Sequence, residues 1–284
     1  MNIEKIKNFK LPNDVIVKYT NFNNISKVFY MPRKNNACPI KKLNKFEYMD
    51  CKTGEIKKCD FINNRGDNIN SISCSVAKLR DLINFNFCGS SCELWATLTF
   101  GKDKVYNSFE LYNIFEKFIK RLRYKYNKQS IDYIYVPEPH DKKDWHIHVL
   151  FRSDKTLYID NKTLSSIWGH GFVKVNRLKD VDNIGAYLSA YLTNVKDGEK
   201  TVKGAKLYLY PPNHKLYRCS SGIKSPISFY MSYKDAKEKI NTGVLTYSNT
   251  IKITTNVGFV NTLHYEYYIN KNISSQERND NEKY

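Results

Sequence analysis

The sequence predicts an α+β fold: an antiparallel sheet flanked by helices, with less regular extensions at both ends. Two observations carry this. The segments LWATLTF (94–100), YIYVPE (133–138) and WHIHVLF (145–151) are short, alternating and rich in β-branched and aromatic residues, as half-buried strands require. Between and around them lie segments with helical spacing, and only the six residues PHDKKD separate the last two strands. A linker that short closes an antiparallel hairpin, whereas a parallel crossover needs a dozen residues or more.

Taken in order, residues 1–70 are predicted as an extension of short strands and loops, with VIVKYT and KVFYM as the apolar pieces. Residues 72–86 place Val76, Leu79, Leu82 and Ile83 on one helical face. In the strand that follows, Thr97 and Thr99 share one side, and Ala96, Leu98 and Phe100 the other. A helix is predicted over 108–127, capped by Asn107 with Glu110 three residues on. Its apolar stripe is Phe109, Tyr112, Phe115, Phe118, Ile119, Leu122 and Tyr126. Its other face carries Lys117, Lys120, Arg121, Arg123, Lys125 and Lys128, a solvated surface or a track for a phosphate backbone. After the hairpin come a helix near 161–168 stopped by Gly169, a strand FVKV, and a helix from about Asp182 to Val195. Residues 71–226 read as the central domain and 227–270 as a β-rich extension, with the polar tail 271–284 disordered.

Composition narrows the partners. With 46 Lys and Arg against 28 Asp and Glu, the chain carries a formal charge of +18. Such an excess favours a polyanion, because basic side chains that neutralise phosphates release condensed counterions. Abundant Asn, Lys, Ile and Tyr also fit AT-rich codons. No run of 18 apolar residues and no apolar leader core appears, so neither a membrane partner nor export is expected. Seven cysteines, including Cys88-x3-Cys92, match no zinc spacing with enough partners and read as reduced thiols in a cytoplasm. There is no G-x4-G-K-[ST], hence no P-loop ATPase.

The chemistry concentrates in two places. On a strand His146 and His148 project together while Ile147 points the other way. Two imidazoles on a rigid strand, with Glu138 across the turn, form a two-nitrogen, one-oxygen set for a divalent metal that leaves room for substrate oxygens. In isolation an H-x-H is more often an ordinary pair on a half-solvated strand. The second place is DNIGAYLSAYLTN. Val181, Ile184, Leu188 and Leu192 make a buried stripe, and Tyr187 and Tyr191 stand one turn apart, roughly 60–80° to its side. Alone they are packing residues with wet tips. Together the two places make a reaction. A phenol with a pKa near 10 is a weak nucleophile at neutral pH, and becomes useful against a phosphodiester polarised and held in line by a metal.

These residues resemble the HUH endonucleases, and within them the two-tyrosine rolling-circle replication initiators of small plasmids and single-stranded DNA phages. The TLT strand motif is matched by Thr97 and Thr99 in WATLTF, the histidine motif by His146 and His148, and an E-x-H by Glu138 and His140. The tyrosine motif is matched by Tyr187 and Tyr191, and W-x-x-G-x-V-x-V by Trp168, Gly171, Val173 and Val175. The likeness spans about residues 75–226, including GAKLYLY and SSGIKSP. It implies an HUH/RRM-like core and a nickase dependent on Mg²⁺ or Mn²⁺, with His146, His148 and Glu138 as ligands and Tyr187 and Tyr191 as nucleophiles. It implies a 5′-phosphotyrosyl link to origin or single-stranded DNA, a free 3′-OH for a host polymerase, and a host helicase to open the duplex in a bacterial cytoplasm. Lysines that often lie between or after the tyrosines are replaced here by Ala190 and Asn194, leaving Lys196 as the nearest one downstream. Which tyrosine attacks first therefore stays open, and His140 is read as a turn residue rather than a ligand. Lys117, Lys120, Arg121, Arg123 and Lys196 are the expected DNA contacts, and His170 and His214 are left as surface residues. A tyrosine transposase of the same chemistry and a non-catalytic basic module with stacking tyrosines are the alternatives. Relaxases place their tyrosine before the histidines. Other metal hydrolases would need further ligands downstream.

Overall fold

The computed structural model describes residues 2–22, 24–33, 40–44, 46–59, 69–101, 108–139, 145–178, 194–197, 200–203, 209–212, 214–254, 258 and 260–270. The predicted α+β class is what forms, with two large antiparallel sheets and, among the described residues, four helices.

The central sheet takes strands β7 (Glu93–Thr99), β8 (Ile131–Pro139), β9 (Trp145–Ser153), β10 (Val173–Arg177) and β13 (Arg218–Cys219) in the order β10-β7-β9-β8-β13. The hairpin β8–β9 and the strand β7 beside it put the histidine strand in the middle. One side of this sheet is apolar. Ala96, Leu98, Ile147, Val149 and Phe151 are buried there with helices α2 (Ser108–Lys125) and α3 (Asn161–Trp168). Phe115 packs on Tyr135 with ring centroids 3.9 Å apart, and Phe118 meets Trp168 edge-on at 5.3 Å. Helix α3 is capped at its start by Asp160, whose side chain accepts from the Thr163 backbone N–H, and stopped by Gly169 at φ 73°.

The stripe on α2 differs from its sequence reading at one end. Phe109 is 76% exposed, and Leu111 is buried instead. At 3.6 residues per turn Phe109 lies roughly 160° around the helix from Leu111, on the side away from Phe115, Phe118 and Leu122. The cap Asn107 lies outside the described residues. On the basic face, two side chains are committed to backbone. Arg121 donates from Nε and Nη2 to the carbonyls of Ile167 and Trp168, closing the end of α3, and Arg123 donates twice to the Ile131 carbonyl. Lys117 and Lys120 are exposed.

The second large sheet joins the two chain ends. Strands β1 (Asn2–Ile6), β2 (Ile16–Phe22) and β3 (Ile25–Tyr30) pair with β14 (Ser228–Ser232), β15 (Val244–Thr254) and β16 (Val260–Ile269) in the order β1-β15-β16-β3-β2-β14. The segments 1–70 and 227–270 thus share one sheet. VLTYS and IKITT, two pieces in the sequence reading, are one strand with an irregularity between Leu245 and Tyr247. Helix α4 (Tyr233–Ile240) buries Ala236 and Ile240 against Val17, Tyr19, Val28 and Tyr268. Helix α1 (Ile69–Asn86) buries Val76, Leu79, Leu82 and Ile83 in the core of the central sheet. It also reaches the second sheet, where Lys27 Nζ bonds the Asp81 carboxylate at 3.1 Å. Smaller sheets are formed by β4 (Ile40–Lys42), β5 (Glu47–Asp50) and β6 (Ile56–Lys58), and by β11 (Asn194–Asp197) with β12 (Lys200–Lys203). Asn194 and Val195, expected at the end of a helix, are therefore in a hairpin. The rest of that expected helix and the tail 271–284 lie outside the described residues.

Candidate active site

The open face of the central sheet collects the polar residues of three strands. Register places Thr97 opposite His148, and Thr99 opposite His146, while Glu138 stands opposite His146 from the other side. Directly paired residues point the same way, so the five side chains share one face. Glu138 reaches diagonally to the next histidine, its Oε2 lying 2.8 Å from His148 Nε2. Thr97 Oγ1 lies 3.3 Å from His148 Nδ1. The imidazole is thus held at both nitrogens, 8% exposed, with Trp95 edge-on to its ring at 6.3 Å.

This chain of contacts fixes what His148 can do. An ionised carboxylate only accepts, so Nε2 carries the proton toward Glu138. A hydroxyl both donates and accepts, so Thr97 can serve Nδ1 in either tautomer. A metal taking Nε2 would displace that proton, and Nδ1–H would then donate to Thr97, the outer bond that ligating histidines ordinarily make. The 2.8 Å spacing also suits two ligands of one ion, because bonds of about 2.0–2.2 Å at a right angle leave donor atoms about 3 Å apart. The donor set of two imidazoles and one carboxylate therefore fits a divalent metal in residue type and register. Among the described residues, no three His, Cys, Asp or Glu side chains are gathered closely enough to hold one as they stand. His146 is opposite Glu138 in register but is not in a three-ligand cluster with it.

The strand ends that carry these residues are braced from outside. Trp168 Nε1 donates to the Thr99 carbonyl, and the Thr99 N–H and hydroxyl both donate to the Phe172 carbonyl. Gly171 passes so close that a Cβ there would meet the Thr99 carbonyl oxygen at 2.5 Å, so this crossing requires glycine. On the hairpin side, Tyr210 donates its hydroxyl to the Pro137 carbonyl and packs edge-on to Trp145 at 5.6 Å. Burial first, and then the charge of Glu138, push the Tyr210 phenol well above its ordinary range. It stays protonated, a brace and not a nucleophile. His214 stacks on Trp145 at 5.3 Å, and His170 packs against Trp168 and Phe100. Neither is the surface residue the sequence suggests. Tyr210, His214 and Trp95 escape a sequence reading because aromatic residues outside a motif carry no local mark of the strand they brace.

The remaining candidates fall elsewhere. Tyr187, Tyr191 and His140 lie outside the described residues, and Lys196 is on β11, with its side chain outside the description. Residues 93–196 match the model of a family described as replication-associated protein ORF2, a stretch from the start of β7 through both tyrosines to Lys196. The match supports a replication initiator of the Rep type. No curated protein and no solved structure matches the chain. No described helix is long and apolar enough to cross a membrane.

Proposed function

We propose that this chain initiates rolling-circle replication as a metal-dependent, two-tyrosine HUH endonuclease that nicks single-stranded origin DNA. The observation behind the reading is the Thr97–His148–Glu138 chain with His146 alongside, lying inside the same matched stretch as Tyr187 and Tyr191. His146, His148 and Glu138 would hold Mg²⁺ or Mn²⁺, which supplies Lewis-acid polarisation of the scissile phosphodiester. The chain's own residues do the rest. His148, pinned by Thr97, keeps its Nε2 aimed across the sheet face. One tyrosine oxygen, Tyr187 or Tyr191, attacks phosphorus and gives up its proton; the P–O3′ bond breaks, and the departing oxygen leaves as a protonated 3′-OH. The 5′ end stays esterified to tyrosine. That ester conserves the bond energy of the strand, so the second tyrosine can return it to a 3′-OH at the end of the round. A host helicase and polymerase complete the scheme, since the chain carries no P-loop.

Single-stranded oligonucleotides tiling the replicon that encodes the chain, incubated with Mn²⁺ and resolved on a denaturing gel, test this. A protein–DNA adduct is expected on one of them, abolished by EDTA and by His148→Ala. Binding without any adduct, under either metal, would leave a non-catalytic basic module as the better reading.

A further inference from the structure

We propose that the open face of the six-stranded sheet is a stacking platform for single-stranded DNA, separate from the nicking site and taking its substrate class from the function proposed above. Register builds the platform. Across β14, β2, β3 and β16 runs a row of Tyr230, Lys18, Phe29 and Tyr265, each directly opposite the next. The neighbouring row is Ser228, Thr20, Lys27, Tyr267 and Tyr247. Strands lie about 4.8 Å apart, so rings and ammonium groups recur across the face at that interval. The opposite side of the same sheet is covered by α4 and the buried residues Val17, Tyr19, Val28 and Tyr268.

The rings are arranged as surfaces rather than as core. Phe29 and Tyr265 stack at 4.7 Å with planes 29° apart, and Tyr247 meets Tyr267 edge-on at 5.9 Å, under Lys27 Nζ at 5.7 Å from the Tyr267 centroid. Tyr230 is 60% exposed and Tyr247 52%. Only the end near α1 is closed, where Phe22 and Ile25 are buried and Asp81 pairs with Lys27. Beside the first row opens a cleft of about 650 Å³ lined by Val15, Ile16, Lys18, Phe29, Met31 and Tyr230.

Charge decides the occupant. Lys5, Lys18 and Lys27 point to this face, and none of its six strands places an Asp or Glu there; Glu4 and Glu266 are on the other side. Flat aromatic surfaces alternating with cations of one sign match a polymer whose bases stack and whose phosphates need neutralising. A duplex hides its base faces, so the ligand is single-stranded.

The test is fluorescence anisotropy of the full chain with a labelled oligo-dT of about 20 nucleotides in EDTA, where no nicking occurs. Tyr230→Ala and Tyr247→Ala are each expected to weaken binding about tenfold, and Tyr230→Phe to restore it. Lys18→Ala is expected to lower the slope of log Kd against log salt by about 0.7. Circular dichroism verifies that these exposed substitutions leave the fold intact. Affinity and salt slope unchanged in all three alanine variants would overturn the proposal. So would loss of a dimer in the same variants with DNA affinity retained, which would give the face to a second copy of the chain. Absence of any covalent adduct in the nicking assay would refute the proposed function yet leave this result standing, and the converse also holds.

Discussion

Two chains of contacts in this molecule run threonine, histidine, glutamate, and only one of them is built like an active site. In the central sheet, Thr97 touches His148 Nδ1 and Glu138 touches Nε2. In the second sheet, Thr250 Oγ1 lies 2.7 Å from His264 Nδ1, and Glu266 Oε1 lies 3.1 Å from His264 Nε2. The difference is what else each carboxylate meets. Glu266 also accepts from the Tyr233 and Tyr268 hydroxyls, at 3.1 and 2.6 Å, and Lys237 donates to Tyr268 in turn. That network lies under α4, with His264 almost wholly buried, and its polar atoms are spent on one another. Glu138 instead stands on an open sheet face, opposite a second histidine. The same three residue types thus make a closed structural network or a ligand set, depending on which neighbours complete the coordination.

The sharpest way to break this comparison is to remove each histidine. His148→Ala is expected to lower adduct formation by at least about a hundredfold, with the denaturant midpoint shifted little, because the metal's contribution of several kcal/mol to the barrier is lost. His264→Ala is expected to do the reverse. It leaves Thr250 and Glu266 buried without their partner, at a cost of roughly 1–3 kcal/mol in denaturant unfolding, while the folded fraction nicks normally.

Thr97→Val probes the outer bond. Losing the Nδ1 partner is expected to raise the Mn²⁺ concentration for half-maximal adduct formation by about 10–100-fold, and Thr250→Val to leave it unchanged.

Acid stability separates the two networks more gently. Burial would raise the Glu266 carboxyl pKa, but hydrogen bonds from His264, Tyr268 and Tyr233 outweigh it and hold the pKa below the ordinary glutamate value. A depressed folded pKa gives stability that is complete above the unfolded value and is lost as pH falls through the folded one. Unfolding free energy measured from about pH 6 downward should therefore decline below about pH 4 in the wild type. Glu266→Gln should lack that component. The smallest effect belongs to the Lys27–Asp81 pair between the second sheet and α1, where a double-mutant cycle is expected to give about 0.2–1 kcal/mol.

What can be read from the sequence follows the same division. The central sheet is legible because its information is local: period-two alternation in LWATLTF and WHIHVLF, a short hairpin linker, and Gly169 stopping α3. Those signals are enough to put His146, His148 and Glu138 on one face. The direct contact between Glu138 and the far histidine depends on side-chain reach across two strands, which spacing does not encode. The second sheet is illegible because the two ends of the chain supply its strands. Nothing in VIVKYT announces that β2 will pair with β14, and β1 with β15. Helical periodicity likewise places Phe109 on the stripe of α2, because a large aromatic at the first turn looks like core until the helix phase is fixed.

The central claim is that tyrosine on the segment after β10 becomes esterified to DNA under the control of the central sheet face. Mass spectrometry of the protease-digested adduct tests it most directly. A nucleotide is expected on the peptide containing Tyr187 or Tyr191, present with Mn²⁺ and absent in the Tyr187→Phe, Tyr191→Phe double variant. An adduct on any other residue, or one that persists in the double variant, would contradict it.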